Sequence, residues 1–196
     1  MQVKIRPLSC LSSQKGFQLL ELLITLVIVG IITAIAIPNY LNWLPDIRLK
    51  SAARDLFSNL QSVRMEAIKT NKSWAIVFDT ANNRYVICSD KGPGGSSWSS
   101  LADNTITQIV NLSDYKSGVA YGHGNITGNN SATEPPGAFP TDNVSFGSNV
   151  VVFNNKGTGS AGYVYLENEK KTHPYAVGVR SSGSIKIKRW TGSKWE

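Results

Sequence analysis

Apolar and polar positions follow three regimes along this chain. From Phe17 to Ile37 the sequence FQLLELLITLVIVGIITAIAI runs for 21 residues with a single charge, Glu21. As a helix that length spans the hydrocarbon core of a bilayer with its backbone bonds satisfied internally. After Tyr40 the apolar positions become periodic. Leu49, Ala52 or Ala53, Leu56, Leu60, Val63 and Ala67 recur every three to four residues, with Arg48, Arg54, Asp55, Arg64 and Lys69 on other faces. This predicts an amphipathic helix whose stripe packs on a sheet. A continuous helix from Phe17 to about Thr70 extends roughly 80 Å, and Pro38 and Pro45 are each expected to bend or locally melt it.

From Ser73 onward strand and turn signals take over. Ser73 to Asp79 and Arg84 to Cys88 flank Thr80-Ala81-Asn82-Asn83 as a hairpin. Further strands are expected at Ile106 to Leu112, Val119 to Tyr121, Val144 to Phe146, Val150 to Phe153, Tyr163 to Glu167, Ala176 to Arg180 and Ser184 to Trp190. One long helix followed by many short strands gives an α+β architecture, the sheet wrapped on the amphipathic face. Ser89 to Ser100 reads as a flexible excursion. Gly122 to Asn149 reads as a long surface loop, because 19 of its 28 residues are Gly, Asn, Ser, Thr or Pro.

Composition sets the outer limits. The 196 residues are 41% hydrophobic and 17% charged, which suits one domain with a core. Cys10 and Cys88 are the two cysteines, so a disulfide framework, a four-ligand zinc site and a C-x-x-C motif are excluded. Net charge is +7 from 20 basic and 13 acidic residues.

Before the apolar run lie sixteen residues carrying Lys4, Arg6 and Lys15 and no acid, so the amino-terminal flank stays in the cytoplasm. Three readings fit this end. A secretory signal peptide finds a small-x-small site at Ala34-Ile35-Ala36. A plain membrane anchor fits the length, yet leaves Glu21 unpaired where insertion costs roughly 2 to 3 kcal/mol. In the third reading the acid has a partner.

Lys15-Gly16-Phe17-Gln18-Leu19-Leu20-Glu21-Leu22, the apolar run and Pro38-Asn39-Tyr40 resemble the leader and first helix of type IV pilins and type II secretion pseudopilins. The resemblance implies that a prepilin peptidase cuts between Gly16 and Phe17 and that Phe17 is N-methylated. It also implies that Glu21 serves filament assembly. Gln18 stands where the family usually has threonine, and Leu20 where isoleucine is frequent. A freed amine on Phe17 and the Glu21 carboxylate lie one helical turn apart, so the acid of one subunit can pair with the amine of the next. Arg64-Met65-Glu66-Ala67-Ile68-Lys69-Thr70-Asn71, Phe153-Asn154-Asn155-Lys156-Gly157 and Val177-Gly178-Val179 to Gly183-Ser184-Ile185-Lys186 are similar to segments of the GspH/FimT branch, which holds minor subunits. Met65 replaces a common serine.

The organisation this implies is pilin-like: a cleaved leader over 1–16, a transmembrane and filament-core helix over 17–37, an amphipathic helix over 38–71 and a β-rich globular domain over 72–196. Inner membrane with a periplasmic globular domain, then a type IV pilus or type II secretion pseudopilus, is the implied location. Other major and minor pilins or pseudopilins and the prepilin peptidase are the implied partners.

Little in the chain points to reaction chemistry. His123 and His173 sit in turn-like contexts, no serine lies in a nucleophile elbow, and no carboxylates have metal-ligand spacing. Cys88 reads as a buried strand residue. The chain is therefore expected to be no enzyme, with no cofactor, metal or catalytic residue.

The carboxyl end is basic: Lys170, Lys171, Arg180, Lys186, Lys188, Arg189 and Lys194 face only Glu196, with Trp190 and Trp195 interleaved. In an extended strand Lys186, Lys188 and Trp190 share one face while Ile185 and Ile187 turn to the core. A DNA site using Lys186, Lys188, Arg189 and Lys194 is one reading, with tryptophan stacking on bases. An edge strand protected by lysine, or a solvated face, is the other. Some FimT-like minor pilins bind DNA through a Gly-Arg-x-Arg motif in this hairpin. Here Gly183-Ser184-Ile185-Lys186 stands there, without the first arginine. Removal of the leader leaves 17 basic against 13 acidic residues, a net of +4.

Overall fold

The structure, a computed structural model, describes residues 19–94, 97–126 and 138–196. Gly16, Phe17 and the leader lie outside the described residues. The chain divides into two compact units, Met1–Leu41 and Asn42–Glu196.

Helix α1, Leu19–Thr70, is one element. Of the bend or local melting expected at Pro38 and Pro45, the melting does not occur: each removes a single donor, and the helix runs through both. In the first unit its leucine, isoleucine and valine side chains stand exposed on all sides. The hydroxyls of Thr25 and Thr33 donate to the carbonyls of Leu22 and Val29 at 2.8 and 2.7 Å. They need no water, which suits an apolar solvent.

In the second unit the helical stripe is the one the periodicity predicts. Leu49, Ala52, Ala53, Leu56, Leu60, Val63 and Ala67 are all buried. The strands are β1 (Trp74–Asp79), β2 (Arg84–Asp90), β3 (Thr105–Asn111), β4 (Ala120–Tyr121), β5 (Val150–Phe153), β6 (Gly162–Glu167), β7 (Tyr175–Val179) and β8 (Ile185–Arg189). They form two four-stranded antiparallel sheets rather than the single sheet expected, in the orders β3-β2-β1-β5 and β4-β6-β7-β8. Ile76, Phe78, Tyr85, Ile87, Val151 and Phe153 from the first sheet meet Val164, Leu166, Val177 and Val179 from the second in one core with the helical stripe. Val144 to Phe146 is not a strand. Val144 makes only a lone bridge to Val164, because left-handed residues at Asn143 and Ser148 turn the chain on both sides.

The turn Thr80 to Asn83 closes the expected hairpin. Arg84 Nε binds Asp79 Oδ2 at 2.8 Å, and Asn83 sits at φ +51°. Burial works against ionisation of Asp79, but hydrogen bonds from Asn82 and Arg84 outweigh it and hold the carboxyl below its usual range.

The two loops are more anchored than their composition suggests. Trp98, within the expected flexible excursion, is buried on the outer face of the first sheet against Ala75, Val77, Val86, Cys88 and Val150. Asn104 fixes it by donating to the Trp98 carbonyl at 2.6 Å. Burying an indole offsets the entropy of ordering a Gly- and Ser-rich segment. In the second loop Val144 and Phe146 enter the main core, while Ile126 and Phe139 cover the outer face of the second sheet beside Tyr163, Tyr165 and Trp195. His123 stacks on Phe139 at 4.3 Å between ring centres and meets Asn143 Oδ1 at 2.6 Å.

Cys88 is fully buried, and burial pushes its thiol up. A thiol-specific alkylating agent is expected to leave the folded mature chain unlabelled and to add one label after denaturation. Rapid labelling of the folded mature chain contradicts this packing.

Candidate functional site

Glu21 sits in the first turn of α1, exposed among exposed leucines, and forms no ion pair among the described residues. Its surroundings are the exposed apolar side chains of the same helix.

The carboxyl-terminal basic residues do not form one patch. Strand β8 is the edge of its sheet, and its register pairs Val179 with Ile185, Val177 with Ile187 and Tyr175 with Arg189. Those residues face α1. Lys186 and Lys188, opposite Gly178 and Ala176, face the other way. Arg189 is thus separated from the two lysines by the thickness of the sheet. Lys194 is closed onto Glu196 at 2.7 Å, an exposed pair that holds the glutamate below its usual range. Trp195 is buried under Tyr165 and Trp190, with Trp190 edge-on to it at 5.5 Å. The indoles are therefore a cover for the sheet rather than an open stacking platform.

The helix-end segment and the two glycine segments meet at one point. Arg64 Nε donates to the Gly157 carbonyl at 2.8 Å. A Cβ at Gly183, where φ is +79°, stands 1.8 Å from that same oxygen. Residues far apart in sequence thus lock the end of α1 to the turn after β5 and the turn before β8, a structural role.

On the inward side of β8 lies a feature absent from the sequence-derived site. A groove of about 510 Å³ runs between the helix and β7/β8, lined among others by Trp43, Ile47, Lys50, Arg54, His173 and Arg189. Tyr175 also lines it. Burial raises the Tyr175 phenol above its ordinary value against the pull of Arg189 and Arg54, so it stays a neutral donor. Nδ1 of His173, read from sequence as a surface residue, is buried without a hydrogen-bond partner. The available signal was the polar ridge Asp46, Lys50 and Arg54 at four-residue spacing beside the apolar stripe. Among the described residues no group of three or more His, Cys, Asp or Glu side chains is placed to hold a metal.

A family model described as Type II transport protein GspH matches residues 52–183. The chain belongs to the GspH family. A second model, the prokaryotic N-terminal methylation motif, matches residues 11–37. No curated protein sequence matches the chain. Among solved structures it is similar to the minor pseudopilin EpsH from the type 2 secretion system of Vibrio cholerae, with 10% identity over 71% of this chain and 95% of that one and a TM-score of 0.45. It is also similar to the type IV minor pilin FimU of Pseudomonas aeruginosa, with 16% identity over 76% and 92% and a TM-score of 0.46. This GspH-family chain is a pilin-type structural subunit of a type II secretion pseudopilus or type IV pilus, and it assembles with other pilins or pseudopilins. Its apolar amino-terminal helix fits membrane anchoring.

Proposed function

We propose that the chain is a minor subunit held in the bacterial inner membrane by 17–37, with the amphipathic helix over 38–71 and the β-rich domain over 72–196 in the periplasm. A prepilin peptidase removes 1–16 by cutting between Gly16 and Phe17, Phe17 is N-methylated, and the subunit then enters the filament. The observation that carries this reading is Glu21: a carboxylate one turn into an uncharged apolar helix, unpaired among the described residues, at the spacing where a neighbour's terminal amine neutralises it. The subunit has a structural role and no catalytic residue or cofactor is assigned to it.

Intact mass and amino-terminal sequencing of membrane material test the processing. A chain beginning at methylated Phe17 is expected, and Gly16→Ile is expected to keep the leader. A mature terminus at Ile37, or an intact leader in the wild type, overturns the proposal.

The DNA reading draws less support, because Arg189 faces away from Lys186 and Lys188, Lys194 is paired, and Trp195 is buried. An electrophoretic shift assay with duplex DNA at physiological salt is expected to give no retardation. Retardation abolished by Lys186→Glu with Lys188→Glu favours uptake instead.

A further inference from the structure

The groove beside β8 sets three cations against two carboxylates, with no cation and acid of the wall in ion-pair contact among the described residues. Lys50, Arg54 and Arg189 line it, and none has an acidic partner within ion-pair distance among the described residues, although Asp46 and Lys50 stand four residues apart on one helix. The two carboxylates in the wall are oriented by neutral donors and keep their charge: Asn168 donates to Asp46 at 2.9 Å and the Tyr115 hydroxyl to Asp55 at 2.7 Å, leaving the groove a net excess of one cation over its acids. At one end Trp43 is 63% exposed and Ile47 38% exposed.

These features specify an occupant. A cavity of about 510 Å³ is far larger than one small anion needs, since a water occupies roughly 30 Å³. The exposed indole and isoleucine call for apolar surface as well as negative charge. A continuous polyphosphate is disfavoured, because Asp46 and Asp55 would face it at close range. A polypeptide meets both demands, setting acids against the cations and neutral or donor groups against the wall carboxylates. We propose that the groove seats an acidic segment of a neighbouring pilin-type subunit, with carboxylates on Lys50, Arg54 and Arg189 and an apolar side chain against Trp43 and Ile47. This rests on the assembly reading above and names a docking surface for it.

The test uses the full processed chain in lipid nanodiscs and a fluorescein-labelled peptide of alternating Glu and Leu, with its Gln and Leu counterpart as control. Fluorescence anisotropy is expected to register binding of the acidic peptide alone, weakening between about 50 and about 300 mM salt as screening shortens. Arg54→Glu with Arg189→Glu is expected to weaken it at least about tenfold. Lys186→Glu, on the opposite face of β8, is expected to leave it unchanged. All these side chains but Lys186 are exposed, and thermal unfolding confirms that each variant folds; Lys50→Ala is the milder alternative. Equal binding by the double variant, binding of the neutral peptide, or displacement by inorganic phosphate at low concentration each overturns the proposal. In cells, a photo-crosslinking residue at Ser51 is expected to capture a co-assembling subunit in the wild type and not in the double variant. Incorporation and crosslinking that survive the charge reversal sink the groove alone, whereas a wild type absent from the filament fraction sinks the assembly reading itself.

Discussion

Glu21→Leu is expected to remove the chain from the filament fraction while leaving its membrane pool undiminished. The two effects oppose each other for a physical reason. In a lipid-embedded monomer the carboxylate is a burden of roughly 2 to 3.5 kcal/mol, so its removal favours insertion. In the pairing proposed above the same change strands the neighbour's terminal amine, and leaving one partner of a buried pair uncompensated costs about 3 to 5 kcal/mol. That exceeds a hundredfold in an association constant, since each 1.4 kcal/mol is about tenfold. Immunoblots of sheared filaments and of membranes from the same cells read both quantities. Glu21→Gln, which keeps the shape and loses the charge, is expected to behave like the leucine variant. If either variant assembles as the wild type does, the carboxylate pairs with nothing.

The second large effect is expected from Gly183→Ala. A Cβ there meets a left-handed φ of +79° and lies 1.8 Å from the Gly157 carbonyl oxygen, a backbone atom that has to move. The left-handed penalty is roughly 1 to 2 kcal/mol, and displacing the carbonyl disturbs the Arg64 hydrogen bond, worth about 1.5 to 3 kcal/mol when one partner is charged. About 2.5 to 5 kcal/mol of destabilisation follows, a large share of the roughly 5 to 15 available to a domain. For a domain of this size that lowers Tm by roughly 5 to 20 °C. Gly192→Ala supplies the control: φ is +102° but a Cβ meets nothing within 4 Å, so only the backbone penalty remains. Equal Tm shifts for the two variants refute the lock.

The helix was legible in the sequence because its signal is periodic and local: every residue of the predicted stripe from Leu49 to Ala67 is buried. The division into two sheets was not legible, since strand partners are set by pairings across long sequence distances. Strand β3 shows a further limit. Cys88 pairs with Ile106 and Ile87 with Gln108, so Thr107 is an extra residue that breaks the two-residue alternation. Ile106 and Ile109 consequently share the outer face, 43% and 45% exposed, where strict alternation puts them on opposite faces. Trp98 was missed because Gly and Ser around it dominate the local pattern. The proposed role of Glu21 rests on one charge in an apolar run, a signal that is local in the sequence. The groove was hidden because Arg54 and Arg189 become neighbours only when β8 docks beside the helix, although the two-residue alternation of β8 by itself sets Arg189 with Ile185 and Ile187 and apart from Lys186 and Lys188.

The clasp between Arg64 and Gly157 joins residues 93 positions apart. A ribosome adding roughly 5 to 20 residues per second needs about 5 to 19 s to make the second after the first. During that interval only the first sheet, beginning with β1 and β2, can cover the greasy stripe, and β6, β7 and β8, which complete the core, arrive later still. Maturation of this subunit therefore includes a waiting period in which the stripe is covered from one side only, by the first sheet and not yet by the second.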